Sequence, residues 1–281
     1  MTILLKRNFQ NRIASWLIAM IIMVVIVFPV WWILNVVFSE PGVPISINPR
    51  LFPTSFAAGI RNISKVLAES QFLHSYLIST AYAVFQVLGV LLLTSMAAFE
   101  FALYKFPGRN ILFIIALISL MVPQCVTLIP TYLLVVNLGW LNTLQGLIIP
   151  GLASAFGLFL MTQFMESIPK ELLEAAQIDG LNHFGLYWKI ALPLSKNALI
   201  TLAILQFIRT WGNFLWPLVI AVQQNAYTIS QIVGLYNMKE NYNTVDVIMA
   251  VNLLSAIPPV IFFLFFQRRI IEGVALSGLK G

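Results

Sequence analysis

Charge is what this sequence has least of. Only 9% of its 281 residues are charged and 60% are hydrophobic, where an ordinary soluble domain is about a quarter charged. So little polar surface cannot cover a water-soluble body. This excludes a soluble enzyme or binding module and leaves a polytopic membrane protein. Cysteine is almost absent too. Cys125 stands alone, so no intramolecular disulfide can form, and its apolar surroundings predict a buried, inert thiol. His74 and His183 are the only histidines. They fall in distant parts of the predicted topology, away from any carboxylate or cysteine cluster at ligand spacing, so no metal site is expected. There is no GxxxxGK[ST] stretch, so ATP hydrolysis by this chain is not expected. No serine, histidine and aspartate fall at one membrane depth, so no catalysis is expected. The formal net charge of +6 would suit nucleic acid, but the basic residues are spread over short loops without a cluster or stripe, which argues against that partner.

What the chain has in quantity is apolar runs. They predict an all-α protein with six membrane spans, at about residues 13–38, 72–104, 111–136, 143–165, 199–222 and 247–266. The basic N-terminus (Lys6, Arg7, Arg12) resembles a signal peptide, but the following run far exceeds an h-region of roughly 7–15 residues, so it is read as an uncleaved first span. Residues 58–69, with Arg61, Lys65 and Glu69, suit a surface amphipathic helix. Pro123 and Pro130 should kink the third span. Gly146, Gly151, Ala153, Ala155 and Gly157 make the fourth small-faced and fit for close packing. Six spans put both termini on one side. That side, with the turn 105–109 and the segment 167–197, holds eleven Lys and Arg, and the opposite loops hold four (Arg50, Arg61, Lys65, Lys239). The positive-inside rule therefore puts the termini and the 167–197 segment in the cytoplasm.

Residues 167–197 form the longest polar interruption between two apolar runs. Ser167 is a reasonable N-cap with Pro169 in the first turn, and Glu171 suits the positive end of the helix dipole. Gly180 supplies a left-handed stop. Asn182 can cap a second helix over 183–191, which Pro193 closes. Ala175 and Ala176 let another surface approach the backbone, and Leu172, Leu173 and Ile178 offer apolar contact. Physics alone leaves two readings: a hairpin lying on lipid headgroups, or a handle for a protein in water.

The spacing EAA-x3-G-x9-I-x-LP, carried by Glu174, Ala175, Ala176, Gly180, Ile190, Leu192 and Pro193, resembles the coupling loop of permease subunits in bacterial ATP-binding-cassette (ABC) importers. The resemblance runs over nearly the whole chain. Residues 98–109 (AFEFALYKFPGR), 123–132 (PQCVTLIPTY), 207–218 (FIRTWGNFLWPL) and the ending Gly278-Leu279-Lys280-Gly281 are similar to maltose-type carbohydrate permeases, in particular the shorter of their two subunits. Glu100 departs from a commoner aromatic, Gly212-Asn213 from a commoner Asn-acid pair, and Asn197 from a frequent Pro. The resemblance implies one permease domain over 1–281, with a core at 72–270, a coupling loop at 167–197 that includes Asp179, and a tail at 268–281. It also implies a multi-pass place in the bacterial cytoplasmic membrane, a second permease as partner, and two cytoplasmic ATPase subunits that bind ATP and Mg. An extracytoplasmic binding protein would deliver the sugar. The chain itself would need no cofactor. Gln223, Gln224 and Asn225 would sit in the last external loop, which reaches the binding protein, and Lys280 and Gly281 would contact the ATPases.

Arg209 is the only basic residue inside a predicted span. A charge at that depth is kept where it faces a cavity or a partner. Arg209, Trp211, Asn213 and Trp216, placed on one helix, read as a wet translocation face whose aromatics stack on sugar rings. The alternatives are a polar packing patch, or Arg209 snorkelling. Glu100 reads as a carboxylate at the cytoplasmic end of its span. A stand-alone secondary transporter or channel is the rival function, but that class generally needs intramembrane acids for ion coupling, and the spans offer chiefly Glu100 and Arg209.

Overall fold

The computed structural model describes residues 2–40, 52–238 and 245–278, with side chains over 15–40, 52–238 and 245–266. Every regular element among them is helical: α1 Thr2–Val37, α2 Phe56–Ala68, α3 Ser70–Leu103, α4 Arg109–Ile118, α5 Gln124–Asn137, α6 Leu144–Ile148, α7 Ala155–Met165, α8 Lys170–Ile178, α9 His183–Leu186, α10 Leu192–Leu194, α11 Lys196–Trp211, α12 Leu215–Ile220, α13 Ile229–Met238 and α14 Val245–Gly278. Three helices are long and apolar enough to cross a membrane, over Ser15–Val37, Ser70–Leu103 and Val245–Phe266. Three bent helix pairs bring the number of candidate spans to six if each pair counts as one.

The breaks fall where the backbone demands them. Arg109–Met121 and Gln124–Asn137 meet at 104°. Val122 precedes Pro123, takes an extended conformation (φ −84°, ψ 115°) and ends the helix there. Pro130, expected to kink the same span, sits inside α5 without a break. The fourth span is bent by 47° after Leu144–Gly151. Ser154 restarts it, its hydroxyl accepting from the Gly157 amide at 3.0 Å. The fifth span, expected as one rod over 199–222, stops at Trp211 and restarts at Leu215. Pro217 has no amide to donate, and in a continuous helix its ring would collide with the Asn213 carbonyl. The polar stretch after it, expected as a loop, contains α13.

Packing divides the chain into two units, Met1–Ser70 with Val233–Ala256, and Gln71–Ile232 with Ile257–Gly281. In the first, α2 is amphipathic as expected and buries Ala58, Gly59, Asn62 and Val66. Asn62 Nδ2 donates to the Val37 carbonyl at 3.0 Å, and the Thr54 and Ser55 amides donate to Phe38 O. The orphan carbonyls at the end of α1 thus find partners. Tyr236 donates its hydroxyl to Glu69, and burial followed by that carboxylate holds its phenol far above the ordinary value. In the second unit, one core cluster joins Phe99, Met161, Met165, Leu186, Tyr187 and Leu202. Another joins Tyr82, Val135, Leu147, Trp216 and Ile220. Small residues on the fourth span do pack closely. A Cβ on Gly146 would stand 2.3 Å from the Trp140 carbonyl oxygen, and one on Gly157 would stand 3.0 Å from Thr94. Cys125, expected buried, is exposed. It is the second residue of α5, whose only buried residue is Val135.

Candidate functional site: a polar hairpin and a cavity between broken helices

The 167–197 segment folds as two short helices and a bulge. The start differs from the sequence expectation. Ser167 donates its hydroxyl to the Phe164 carbonyl at 2.6 Å, and Pro169 occupies the cap position before α8 without a side-chain bond. Glu171 lies in the first turn of α8. The end matches the expectation. Gly180 takes φ +86°, its amide donates to Gln177 O and the Leu181 amide to Ala176 O, both at 3.0 Å. These are the paired bonds of a Schellman C-cap. Asn182 then caps α9, its Oδ1 accepting from the Gly185 amide at 2.8 Å. Pro193 does not close this second helix. The backbone widens into a π-turn over Tyr187–Ala191 and continues through Leu192–Leu194 before a 75° bend into α11. The wide turn gives the proline ring room against the carbonyl four residues back.

The hairpin has two distinct faces. Leu173 and Ala176, three apart, are buried in the core with Leu186, Tyr187 and Ala191. Ile190 and Leu192 pack partly buried against the same core. Glu174, Ala175, Asp179, Gly180 and Pro193 are exposed, and Ile178 is 86% exposed. Of the two alanines of the motif, only Ala175 is thus open to a partner.

The inward face is fastened to α3. The carboxylate of Glu100 lies 2.5 Å from His183 Nε2. The His183 ring packs on Phe99 and Tyr104, with centroids 5.2 and 4.6 Å away. Tyr187 shares a 2.7 Å hydrogen bond with Ser95. Arg109, the first residue of α4, pairs with Glu166 at the end of α7 at 3.0 Å. Just past α3, burial and then Glu100 push the Tyr104 phenol up, and a Gln177 hydrogen bond opposes them. Sequence reasoning left His183 without a role. Its partner is 83 residues away, so no local signal pointed to it.

Away from the hairpin, α3, α5, the bent fourth span and the α11–α12 break border a half-open cavity of about 190 Å³. Arg209, Asn213 and Trp216 line it, as do Tyr82, Gln86 and Gln206. Trp211 does not. It is buried, with Phe207 stacked on it at 5.7 Å and Tyr76 edge-on at 5.5 Å. The four residues read as one helix face are split by the break. Arg209 and Trp211 end α11, Asn213 lies between helices, and Trp216 is in α12. The break is stitched by side chains. Asn213 Oδ1 accepts from the Trp216 amide at 3.3 Å, and Ser230 donates to the Asn213 carbonyl at 2.8 Å. The Trp216 indole donates to Gly146 O at 3.2 Å. Non-helical backbone within an apolar protein is tolerated where protein groups or a wet cavity satisfy it. Gln86 was missed by sequence reasoning, although a lone amide inside the apolar second span was the available signal.

The loop after α12 is tied down. Asn142, at φ +59°, accepts on Oδ1 from the Val222 and Gln223 amides, both at 2.8 Å. Gln71 donates to Gln224 O at 2.5 Å, and His74 bonds Asn225 O at 2.8 Å. Gln223, Gln224 and Asn225 thus form a short turn braced at the start of α3. Lys280 and Gly281 lie outside the described residues. Among the described residues, no group of His, Cys, Asp and Glu is arranged to hold a metal.

The structure thus combines helices broken around a polar cavity with a hairpin that has one exposed face. Residues 89–275 match the family described as binding-protein-dependent transport system inner membrane component. The chain is 30% identical over 277 residues to the arabinooligosaccharides transport system permease protein AraQ of Bacillus subtilis, covering 96% of each. It is 38% identical over 192 residues to AraQ of Halalkalibacterium halodurans, covering 68% of each. To the sn-glycerol-3-phosphate transport system permease protein UgpE of Rhizobium meliloti it is 31% identical over 281 residues, covering 96% of this chain and 97% of the other. Its fold is that of a chain in the crystal structure of a bacterial ABC transporter involved in import of the acidic polysaccharide alginate. The TM-score is 0.80 at 24% identity, over 91% of this chain and 95% of that one. The chain belongs to the binding-protein-dependent transport system inner membrane component family. It is a permease component of a binding-protein-dependent transport system.

Proposed function

We propose that this chain is one of two permease subunits through which a sugar or oligosaccharide enters a bacterial cell across the cytoplasmic membrane. A binding protein outside delivers the cargo to the side bearing Gln223, Gln224 and Asn225. Two ATPase subunits inside bind ATP and Mg and grip the 167–197 hairpin, with both termini on their side. The observation that carries this reading is the split hairpin. Leu173, Ala176 and Tyr187 anchor it in the core, while Glu174, Ala175, Ile178 and Gly180 face outward with no protein over them. An isolated hairpin with so strong an inward anchor transmits a push as a rigid body, so closure of the ATPase dimer rocks the attached spans and turns the cavity from one side to the other. Glu174 accepts hydrogen bonds or an ion pair at the docking groove, Asp179 lies beside it, and the bare Gly180 permits close approach. Lys280 and Gly281 of the tail reach the same ATPases. The second permease closes the open side of the cavity, and the whole chain acts as one domain around the 72–270 core. The names of the relatives, for arabinooligosaccharides and sn-glycerol-3-phosphate, support a small polyhydroxylated cargo.

The test is assembly. Ile178→Asp and Glu174→Trp change groups that touch solvent, so melting of the purified chain should stay as in the parent. ATPase co-purification and ATP-driven uptake should both be lost. Unchanged assembly together with unchanged uptake would sink the proposal.

A further inference from the structure

We propose that the cavity beside α11 takes a polyhydroxylated cargo carrying a carboxylate or phosphate, with Arg209 as its counter-charge and Gln86 as a hydroxyl-reading group. The inference rests on the permease reading and names the class of its substrate. Among the described residues, Arg209 is the only charged group lining the cavity. The ion pairs among the described residues are Arg61–Glu40, Arg109–Glu166 and His183–Glu100, and none involves it. Arg209 stands thirteen residues beyond Lys196 in α11, about 20 Å along the axis at about 1.5 Å per residue. It is in the last turn of that helix, at the break before α12, and a cation within an apolar span is retained against a cavity or a partner. Its planar fork of donors fits a carboxylate or a phosphate with two parallel bonds, which no neutral sugar hydroxyl can reproduce.

Gln86 is an independent observation. It is 2% exposed, it borders the same cavity, and its Oε1 is buried without a hydrogen-bond partner. Gly151 leaves room for the side chain, since a Cβ there would stand 2.5 Å from Gln86 Nε2. An unpartnered amide oxygen at a cavity can accept from a donor, and a ligand hydroxyl supplies one. Gln124, Thr127 and Asn213 extend this neutral donor and acceptor lining. One cation among amides and hydroxyls suits an acidic saccharide or a sugar phosphate better than a neutral sugar or a cationic solute.

The experiment uses the assembled transporter, this chain with its co-expressed partner subunits, in nanodiscs without binding protein. Titration calorimetry compares digalacturonate with its methyl diester, and sn-glycerol 3-phosphate with glycerol. At least one acid should bind about tenfold tighter than its neutral counterpart, the scale of one charge-assisted bidentate contact. The pair that shows the larger ratio identifies the anion as carboxylate or phosphate. Arg209→Gln should erase the preference, and Arg209→Lys should keep part of it. Gln86→Leu should weaken acid and neutral forms alike. Equal binding of acid and neutral forms by the parent overturns the proposal, as does failure of every acid to bind. So does an Arg209→Gln loss shared equally by both forms, because the guanidinium would then be serving another subunit's carboxylate. The parent comparison and Arg209→Lys carry the test if Arg209→Gln does not assemble. ATP-driven uptake of a neutral cargo with no acid preference would remove the charge inference alone, whereas a complex without ATPase would remove the permease reading.

Discussion

The hairpin and the cavity belong to the same unit and are built in opposite ways. The hairpin's contacts to α3 are paired, Ser95 with Tyr187 and Glu100 with His183, as is Arg109 with Glu166 beside it, while Ser195 Oγ is buried there without a partner. In the cavity no carboxylate among the described residues pairs with Arg209, and Gln86 Oε1 finds no partner among them. Satisfied networks rigidify, while unsatisfied polar groups persist only where something else completes them. The contrast separates a part that transmits force from a part that receives a guest. It predicts that damage to the first is read in stability and coupling, and damage to the second in what binds.

The largest effect should come from the hairpin's anchor. Phe99 is 2% exposed and touches the rings of Tyr104, His183 and Tyr187 at 5.2–5.5 Å. Phe99→Ala removes the surface on which α9 rests and should cost about 3–5 kcal/mol, the usual range for a fully packed ring. Thermal unfolding in detergent measures it. A loss under about 1 kcal/mol would mean the hairpin is not fastened to α3 through this stack, and the comparison would fail.

A glycine pair sharpens it. At Gly146 the atom in the way is a backbone oxygen, Trp140 O, 2.3 Å from a built Cβ. It cannot rotate aside, so Gly146→Ala should cost toward the upper end of about 1–3 kcal/mol, as overpacking does. At Gly180 nothing lies within 4 Å and only φ +86° resists, so Gly180→Ala should cost about 1–2 kcal/mol through backbone strain alone. Melting of the two variants side by side decides it. Equal losses would mean that the bend of the fourth span is no more tightly packed than the hairpin tip.

The two regions also differ in how far they could be read from the chain. The hairpin's stop and second start were legible because Gly180 and Asn182 act on backbone groups within five residues of themselves. Its first cap was misassigned. Ser167 had two acceptable local partners and bonded backward to Phe164 instead. The cavity depends on contacts such as Trp216 to Gly146, 70 residues apart, and on breaks that hydropathy does not register. Pro217 held a signal of the break in span five, but Pro29, Pro130, Pro258 and Pro259 sit inside continuous helices, and an apolar count over 199–222 passes straight over it. The exposure of Cys125 was hidden for the same reason. An apolar neighbourhood in sequence marks a membrane segment, not the side that faces inward.

The smallest expected effect is the most informative about coupling. Glu100 and His183 are about half exposed, with side chains 45% and 51% accessible. Such a pair in contact with water contributes roughly 0–1 kcal/mol. Glu100→Gln should therefore barely move the melting temperature, and His183→Gln likewise. Yet the pair ties the second half of the hairpin to α3, which also supplies Tyr82 and Gln86 to the cavity. If the joint serves transmission rather than stability, either variant should lower uptake per ATP hydrolysed while leaving ATPase assembly intact, and the double variant should do no more than each alone. Full coupling in the double variant would show that the aromatic packing of Phe99 and Tyr104 suffices. The hairpin would then act on α3 through shape and not through charge.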